Sequence, residues 1–214
     1  IPPAWSEVWI CADPDGHIQA TGRDEKGRKQ YIYHPGWDQV RDQAKYNRLL
    51  PFAEALPTLR GQVDADLRKR TLTWDKVAAI AIDLLDKTRL RVGNPEYQRQ
   101  NESYGLTTLQ DEHVEINGDT LTFAFKGKSG KDHTIRLRDR RLARLVRQCQ
   151  ELPGQELFQY LGEDGAWHTL RSNDVNQYLR DATGQDFSAK DFRTWGGTVT
   201  TTLALYEAGP ASTK

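Results

Sequence analysis

The sequence predicts an α+β chain, with a small β-rich unit over residues 1–65 and a mainly α unit with one three-stranded antiparallel sheet over 66–214. Three observations carry this. The first 35 or so residues alternate apolar and polar side chains between turn formers, the pattern of short antiparallel strands. After Thr71 the apolar positions move to helical spacing. Asn117-Gly118 then separates two alternating runs, the strongest short-range hairpin signal a sequence offers.

In chain order, Trp5, Val8 and Ile10, the turn Asp13-Pro14-Asp15-Gly16, Ile18 and Ala20, and Tyr31 and Tyr33 outline the N-terminal sheet. From Trp37 the period lengthens, and Val40 to Leu56 reads as a helix broken or kinked at Pro51. Thr73 is placed to cap a helix with Val77, Ile80, Ala81 and Leu84 at i, i+3, i+4 and i+7, ended by Gly93. The hairpin runs from His113 to Lys126, and Lys126-Gly127-Lys128-Ser129-Gly130-Lys131 turns the chain into a third strand, His133 to Leu137. Asp139 to Gln150 is helical, with Leu142, Leu145, Val146 and Cys149 on one face. Asp174 to Thr183 forms another helix, and Ser188 caps a last one that stops at Gly209-Pro210.

Composition narrows the function classes. The 214 residues hold 30 Lys+Arg against 30 Asp+Glu, 37% hydrophobic residues, 6 Trp, 8 Tyr and 6 Phe. Mean hydropathy is −0.76. Enough large apolar side chains are present for a core, and none of the runs is long enough to span a membrane. Cys11 and Cys149 lie far apart, which excludes a disulfide scaffold and fits a reducing compartment. The chain starts at Ile1 and stops at Ala211-Ser212-Thr213-Lys214, so it reads as a piece of something longer. The charge is unevenly spread: Lys126 to Arg147 holds nine basic residues and two acidic ones, a local balance of +7 suited to a polyanion.

Two familiar chemistries fail. Gly127-Lys128-Ser129 is no nucleotide-binding loop, because Thr122 stands where that motif needs glycine and the segment joins two strands. His17, His34, His113, His133 and His168 show no ligand pair at helical spacing, so no metal is expected. What remains is a set of cations at places where the backbone holds them: Arg91 before Gly93, Lys128 at a hairpin tip and Arg193 in the first turns of the last helix. Guanidinium forks hold non-bridging phosphate oxygens bidentately, and a lysine can give a proton to a departing oxygen. Such cations are also common as solvated tips.

Ile1-Pro2-Pro3-Ala4-Trp5, Gly16-His17-Ile18-Gln19-Ala20-Thr21-Gly22, Gly27-Arg28-Lys29-Gln30-Tyr31, Arg91-Val92-Gly93-Asn94, Tyr104-Gly105-Leu106-Thr107-Thr108-Leu109, Phe125 to Lys131, Ser172-Asn173-Asp174-Val175-Asn176 and Lys190-Asp191-Phe192-Arg193-Thr194-Trp195 resemble bacterial type IB DNA topoisomerases of the poxvirus-like group. The resemblance runs over nearly the whole chain. It implies a tyrosine recombinase/type IB topoisomerase-like fold, with residues 1–65 as a DNA-clamp domain and 66–214 as the catalytic domain. It also implies relaxation of supercoiled DNA without ATP, metal or other cofactor, through a transient 3′-phosphotyrosyl bond. Arg91 and Arg193 would be the two catalytic arginines and Lys128 the general acid. Gln30, Tyr31 and Tyr33 would approach duplex DNA from the β-rich unit, Gln30 by pairing with adenine, and Tyr97, Lys131 and Lys190 are further DNA-contact candidates. Strand alternation puts Tyr31 and Tyr33 on one face. The expected protein is a cytoplasmic monomer of the bacterial nucleoid.

One departure stands out. The family's nucleophilic tyrosine lies well after the Lys-Asp-Phe-Arg segment, whereas Tyr206 is the only tyrosine here beyond Arg193 and is expected to be a packing residue. The chain therefore reads as truncated before its nucleophile. Two alternatives stay open. A tyrosine recombinase shares the chemistry but usually carries His-x-x-Arg where Lys190-Asp191-Phe192-Arg193 stands, and a non-catalytic DNA-binding module would only neutralise phosphate.

Overall fold

The computed structural model describes residues 1–209, without the side chains of Asp38, Gln39, Asp42, Lys45 and Tyr97. It is mixed α+β with small antiparallel sheets, as the alternation and the hairpin signal require. The chain divides into two units between Pro51 and Phe52. The expected boundary near residue 65 coincides with the end of a helix, Leu49–Asp66, most of which belongs to the second unit.

In the first unit β1 (Ser6–Ile10), β2 (Ile18–Arg23) and β3 (Lys29–Tyr33) form a meander in the order β1-β2-β3. Trp5 lies flat on Gly22: a Cβ there would come within 2.6 Å of the indole ring. The chain then enters α1 (Pro35–Asn47), whose N-terminus is capped by the His34 ring, Nδ1 accepting from Gly36 N at 3.0 Å. The helical stretch breaks at Arg48 rather than at Pro51. Pro51 falls in the first turn of α2 (Leu49–Asp66), where its missing N–H would have had no partner.

The second unit is built around α3 (Trp74–Thr88). From Val77 to Leu85 its apolar residues are at most 2% exposed, on every side of the helix. A helix apolar all round belongs in a core, and here Phe52, Leu56, Leu59 and Val63 of α2 join the same cluster. The sheet of β4 (Val114–Asn117), β5 (Thr120–Lys126) and β6 (Asp132–Arg138) contributes Leu121 and Phe123 to that core, and α5 (Arg140–Gln150) contributes Leu142, Leu145, Val146 and Cys149. A short α4 (Pro95–Asn101), a small hairpin of β7 (Gln159–Leu161) and β8 (Trp167–Thr169), α6 (Ser172–Thr183) and α7 (Ala189–Ala208) complete the unit. Lys87 donates to Asp83 and Asp139 at 2.8 Å each, tying the last turn of α3 to the N-cap of α5. Among the described residues no helix is long and apolar enough to cross a membrane.

Three local expectations are corrected. Helix α3 stops at Thr88, with Arg89 left-handed at φ 56°, so Arg91 follows the helix instead of riding its last turn. Thr88 Oγ1 donates to the Leu84 carbonyl at 2.6 Å, the back-bond a β-branched hydroxyl makes at a helix end. The hairpin loop is Gly118-Asp119, because Asn117 pairs with Thr120 as a strand residue. Tyr206 does not pack: it is 85% exposed, on a half of α7 that projects from the core, where Leu203 and Leu205 are exposed too. Helix α7 ends at Gly209 as expected, and Pro210 lies outside the described residues.

Candidate active site

Past Thr88 the chain runs irregularly, and its course is set by contact with a distant segment. Leu106 N donates to the Arg91 carbonyl at 2.8 Å, and Thr107 N and Oγ1 both donate to Val92 O at 2.7 and 2.8 Å. The two backbones touch at Gly93 and Gly105: a Cβ on Gly105 would lie 2.6 Å from both N and Cα of Gly93. Gly93 also has φ 95°, a conformation L side chains rarely adopt. The function of Gly93 is thus close approach, where the sequence pattern had pointed to a helix stop.

Lys128 sits on the tight connection between β5 and β6, a single 3₁₀ turn of Lys128–Gly130 with Ser129 left-handed at φ 67°. Gly127 N donates to Lys131 O at 2.8 Å and Gly130 N to Gly127 O at 3.0 Å, closing the tip. His133 pairs with Phe125 across the strands and stacks on it, ring centres 5.4 Å apart, so its imidazole lies over Gly127. A Cβ on Gly127 would come within 2.4 Å of the imidazole. Glycine at 127 therefore lets a ring pack directly on the backbone that bears Lys128.

Arg193 lies about one and a half turns into α7. The Asp191 carboxylate accepts from Ser188 N at 2.8 Å, and Asn176 Oδ1 accepts from Ala189 N at 3.0 Å, fixing the start of that helix. Phe192 is buried beside it, and Trp195 packs on the core. The Arg193 guanidinium donates to the carbonyl of Arg89. Farther along, the Arg89 side chain runs across Gly196, where any Cβ would collide with it. The αL turn at Arg89 thus serves two purposes, releasing the chain from α3 and turning a carbonyl toward Arg193.

These pieces meet in one cleft of about 450 Å³, lined by Arg89, Arg91, Lys128, Lys131 and Arg193 over a floor that includes Tyr104, Phe125 and His133. Arg91, Tyr104 and Lys128 also line an adjoining depression of about 180 Å³. Among the described residues no carboxylate lines either cavity. Partial desolvation on the cleft wall, then the like charge of Arg91, pull the pKa of Arg193 down from its ordinary value. An anion between the two guanidiniums would reverse that repulsion. A second ring pair flanks the floor: Tyr104 lies 4.3 Å from His113, whose Nδ1 accepts from Gln110 N at 2.9 Å. Burial pushes the His113 pKa down, which favours the neutral imidazole.

The sequence-derived candidates are distributed as follows. Arg91, Lys128, Lys131 and Arg193 share the cleft. Lys190 is exposed in the first turn of α7, outside the cleft lining, and Tyr97 is on α4 with its side chain outside the described set. In the first unit Tyr31 and Tyr33 stack on one face of β3, centres 6.1 Å apart, with Lys29 Nζ 5.6 Å from the Tyr31 ring. Gln30 falls on the other face of that edge strand, its amide nitrogen donating to Asp24 at 2.9 Å. The basic run is divided by the fold: Arg141 is captured by Asp64, Arg136 and Arg138 are exposed on β6, and Lys128 and Lys131 face the cleft. Arg89, Tyr104 and His133 were missed. The hairpin register offered a signal for His133, since pairing across the Lys128 turn sets it opposite Phe125.

The family described as eukaryotic DNA topoisomerase I, catalytic core, matches residues 34–214, and that described as bacterial DNA topoisomerase IB, N-terminal domain, matches residues 1–24. DNA topoisomerase 1B of Acanthamoeba polyphaga mimivirus is 37% identical over 200 residues, 92% of this chain and 60% of that protein. DNA topoisomerase 1B of vaccinia virus (strain Copenhagen) is 24% identical over 181 residues, 82% of this chain and 53% of that protein. The chain thus spans a little over half the length of these relatives. Among solved structures, the XerH site-specific recombinase bound to difH substrate in a pre-cleavage complex aligns with a TM-score of 0.45 at 12% identity, covering 72% of this chain and 44% of that one. With a catalytic-core match over most of its length, this chain belongs to the type IB DNA topoisomerase family.

Proposed function

We propose that this chain supplies the phosphate-gripping part of a type IB DNA topoisomerase, which relaxes supercoiled DNA without ATP by cutting one strand through a 3′-phosphotyrosyl intermediate. The observation that carries the reading is the convergence of Arg91, Lys128 and Arg193, far apart in sequence, on one cleft whose lining, among the described residues, holds no carboxylate. A scissile phosphodiester seated there has its non-bridging oxygens toward the two guanidiniums, which answer the charge that grows on pentacoordinate phosphorus. Lys128, at the hairpin tip, gives its proton to the departing 5′-oxygen. The bond energy stays in the phosphotyrosine, so resealing requires no nucleotide.

Tyr206, the one tyrosine beyond Arg193, is not proposed as the attacking group. Tyr206 follows Arg193 by 13 residues on the same helix, about 20 Å of axial rise from the group that would hold the phosphate. The Lys29, Tyr31 and Tyr33 stripe and Gln30 on the edge of the first unit's sheet are proposed to touch duplex DNA, as are Lys131, Lys190 and Tyr97. The similarity of residues 1–24 to a bacterial N-terminal domain supports a bacterial enzyme, and a monomer associated with the nucleoid is proposed with it.

The test is direct. This chain should bind duplex DNA without relaxing it, and a form that cleaves DNA should lose cleavage on Lys128→Ala by about 10²–10⁴-fold. A substrate whose scissile 5′-oxygen is replaced by sulfur, a leaving group that needs no proton, should restore most of that rate. Equal impairment on both substrates would remove Lys128 from the acid role.

A further inference from the structure

A second cationic cavity, of about 530 Å³, opens at the other end of α3 and shares no lining residue with the first. Its floor carries Lys76, which precedes Thr88 by 12 residues on that helix, a separation of about 18 Å along the axis. Six cations line it: Arg68, Lys69, Arg70, Lys76, Arg141 and Arg144. Three of them are answered locally. Asp64 takes both Arg68 and Arg141, and Lys69 bridges Asp66 and Asp75 at 2.7 Å each. Arg70 and Arg144 have no ion-pair partner among the described residues.

Lys76 is the decisive group. Its residue is only 3% exposed, and among the described residues its one hydrogen bond is a long 3.4 Å contact to the Arg70 carbonyl. Burial pulls its pKa down, opposed by Cys149 and aided by the charge of Arg144. A buried ammonium without a counter-charge is costly and is ordinarily paired. Beside it Gln148 Oε1 is buried with no hydrogen-bond donor, so a second polar group of the same cavity is also unanswered. Surface cations scattered at random would leave neither.

We propose that this cavity is an anion site for the terminal phosphates of a small di- or triphosphate-bearing molecule, gripped by Lys76 at the floor and by Arg70 and Arg144 at the rim. A terminal phosphate leads with three oxygens and enters a recess, whereas a phosphodiester within a duplex offers two and is flanked by sugars on both sides. That difference favours the small ligand for a floor group as enclosed as Lys76. A water or ligand hydroxyl accompanying the anion would donate to Gln148 Oε1. The site is independent of the strand-cleaving reading, since it uses none of the residues of the first cleft.

Inorganic tripolyphosphate is the probe, titrated calorimetrically into the whole chain at fixed ionic strength. The reference protein carries Arg91→Gln and Lys128→Gln, so that the first cleft does not contribute. Saturable binding to one site is expected, weakened about 10- to 100-fold by adding either Lys76→Met or Arg144→Gln, as loss of one charge-assisted hydrogen bond implies. Lys76→Met should also raise the melting temperature without ligand, because it removes a buried charge, and should abolish the further rise that tripolyphosphate brings. The proposal is overturned if the reference protein binds no tripolyphosphate, or if Lys76→Met leaves the affinity unchanged. It is equally overturned if only a DNA duplex, and not tripolyphosphate, responds to Lys76→Met, which would assign the cavity to a second DNA segment.

Discussion

Replacing Gly105 by alanine separates two effects that glycine usually confounds. The backbone there is extended, with φ −150° and ψ 178°, which alanine adopts freely, so conformational entropy alone would stabilise the variant by about 0.4–1 kcal/mol. Packing opposes this. The new Cβ would lie 2.6 Å from N and Cα of Gly93 and 2.8 Å from the Arg91 carbonyl, whereas unstrained carbon contacts sit near 3.5–4.0 Å. All three are main-chain atoms that no rotamer change can remove, so the two segments must part by about 1 Å. Overpacking of this kind costs about 1–3 kcal/mol, and we expect a net loss of about 1–2 kcal/mol in urea unfolding followed by tryptophan fluorescence. Because the displaced segment carries Arg91, single-turnover cleavage in a form that cuts DNA should fall about 10²-fold, the usual consequence of a 1 Å misplacement. A variant that is more stable than wild type and cleaves normally would show that the contact of Gly93 with Gly105 does not position Arg91.

Arg193→Lys keeps the charge but loses the planar fork that holds the Arg89 carbonyl and an anion together; single-turnover cleavage should drop about 10²–10³-fold, and a near wild-type rate would reduce Arg193 to charge neutralisation. Duplex binding by this chain should weaken linearly in log K against log salt, with a slope of about −0.9 for each phosphate neutralised, and a flat profile would contradict a phosphate-gripping cleft. Tyr31→Ala should reduce duplex affinity measured by fluorescence anisotropy without moving the melting temperature, since that ring is 44% exposed; unchanged affinity would make the tyrosine stack a structural feature of the sheet. Tyr178 Oη donates to the buried Asp66 carboxylate at 2.8 Å, where burial, which raises the pKa, is outweighed by hydrogen bonds from Lys69, Gln62 and Tyr178, so the value lies below the ordinary one. A depressed carboxyl contributes stability above its unfolded pKa of about 3.9 and loses it as pH falls through the folded value. Tyr178→Phe should therefore cost about 1–3 kcal/mol at pH 7 and less at pH 3, and an equal cost at both would place its effect in packing alone.

The N-terminal meander, the α3 core pattern, the β5–β6 hairpin and the Ser188 cap were legible because each depends on residues within a few positions of one another. Periodicity in Val77 to Leu84, and turn chemistry around Gly118 and Gly127, act over that range and need no partner to be recognised. Of the cleft cations, Arg91, Lys128 and Arg193 were legible as residue types placed near turns, and the family resemblance named the same three. What the sequence pattern misplaced was the end of α3, and what it left open was which of the nine basic residues between Lys126 and Arg147 are free to meet an anion.

Both questions are settled by contacts between segments far apart in the chain. Gly93 looked like a helix stop, but its conformation answers to Gly105, and the helix had already ended at Thr88. Arg141 looked no different from Lys131, yet Asp64 on α2 binds one and leaves the other facing the cleft. Tyr206 was expected to pack and is exposed, because packing requires a surface to receive it. Periodicity fixes which face of an element is apolar and turn residues fix where it reverses, but whether a charge is spent on a neighbour or kept for a ligand depends on distances in three dimensions, and those emerge only when remote backbones come into van der Waals contact.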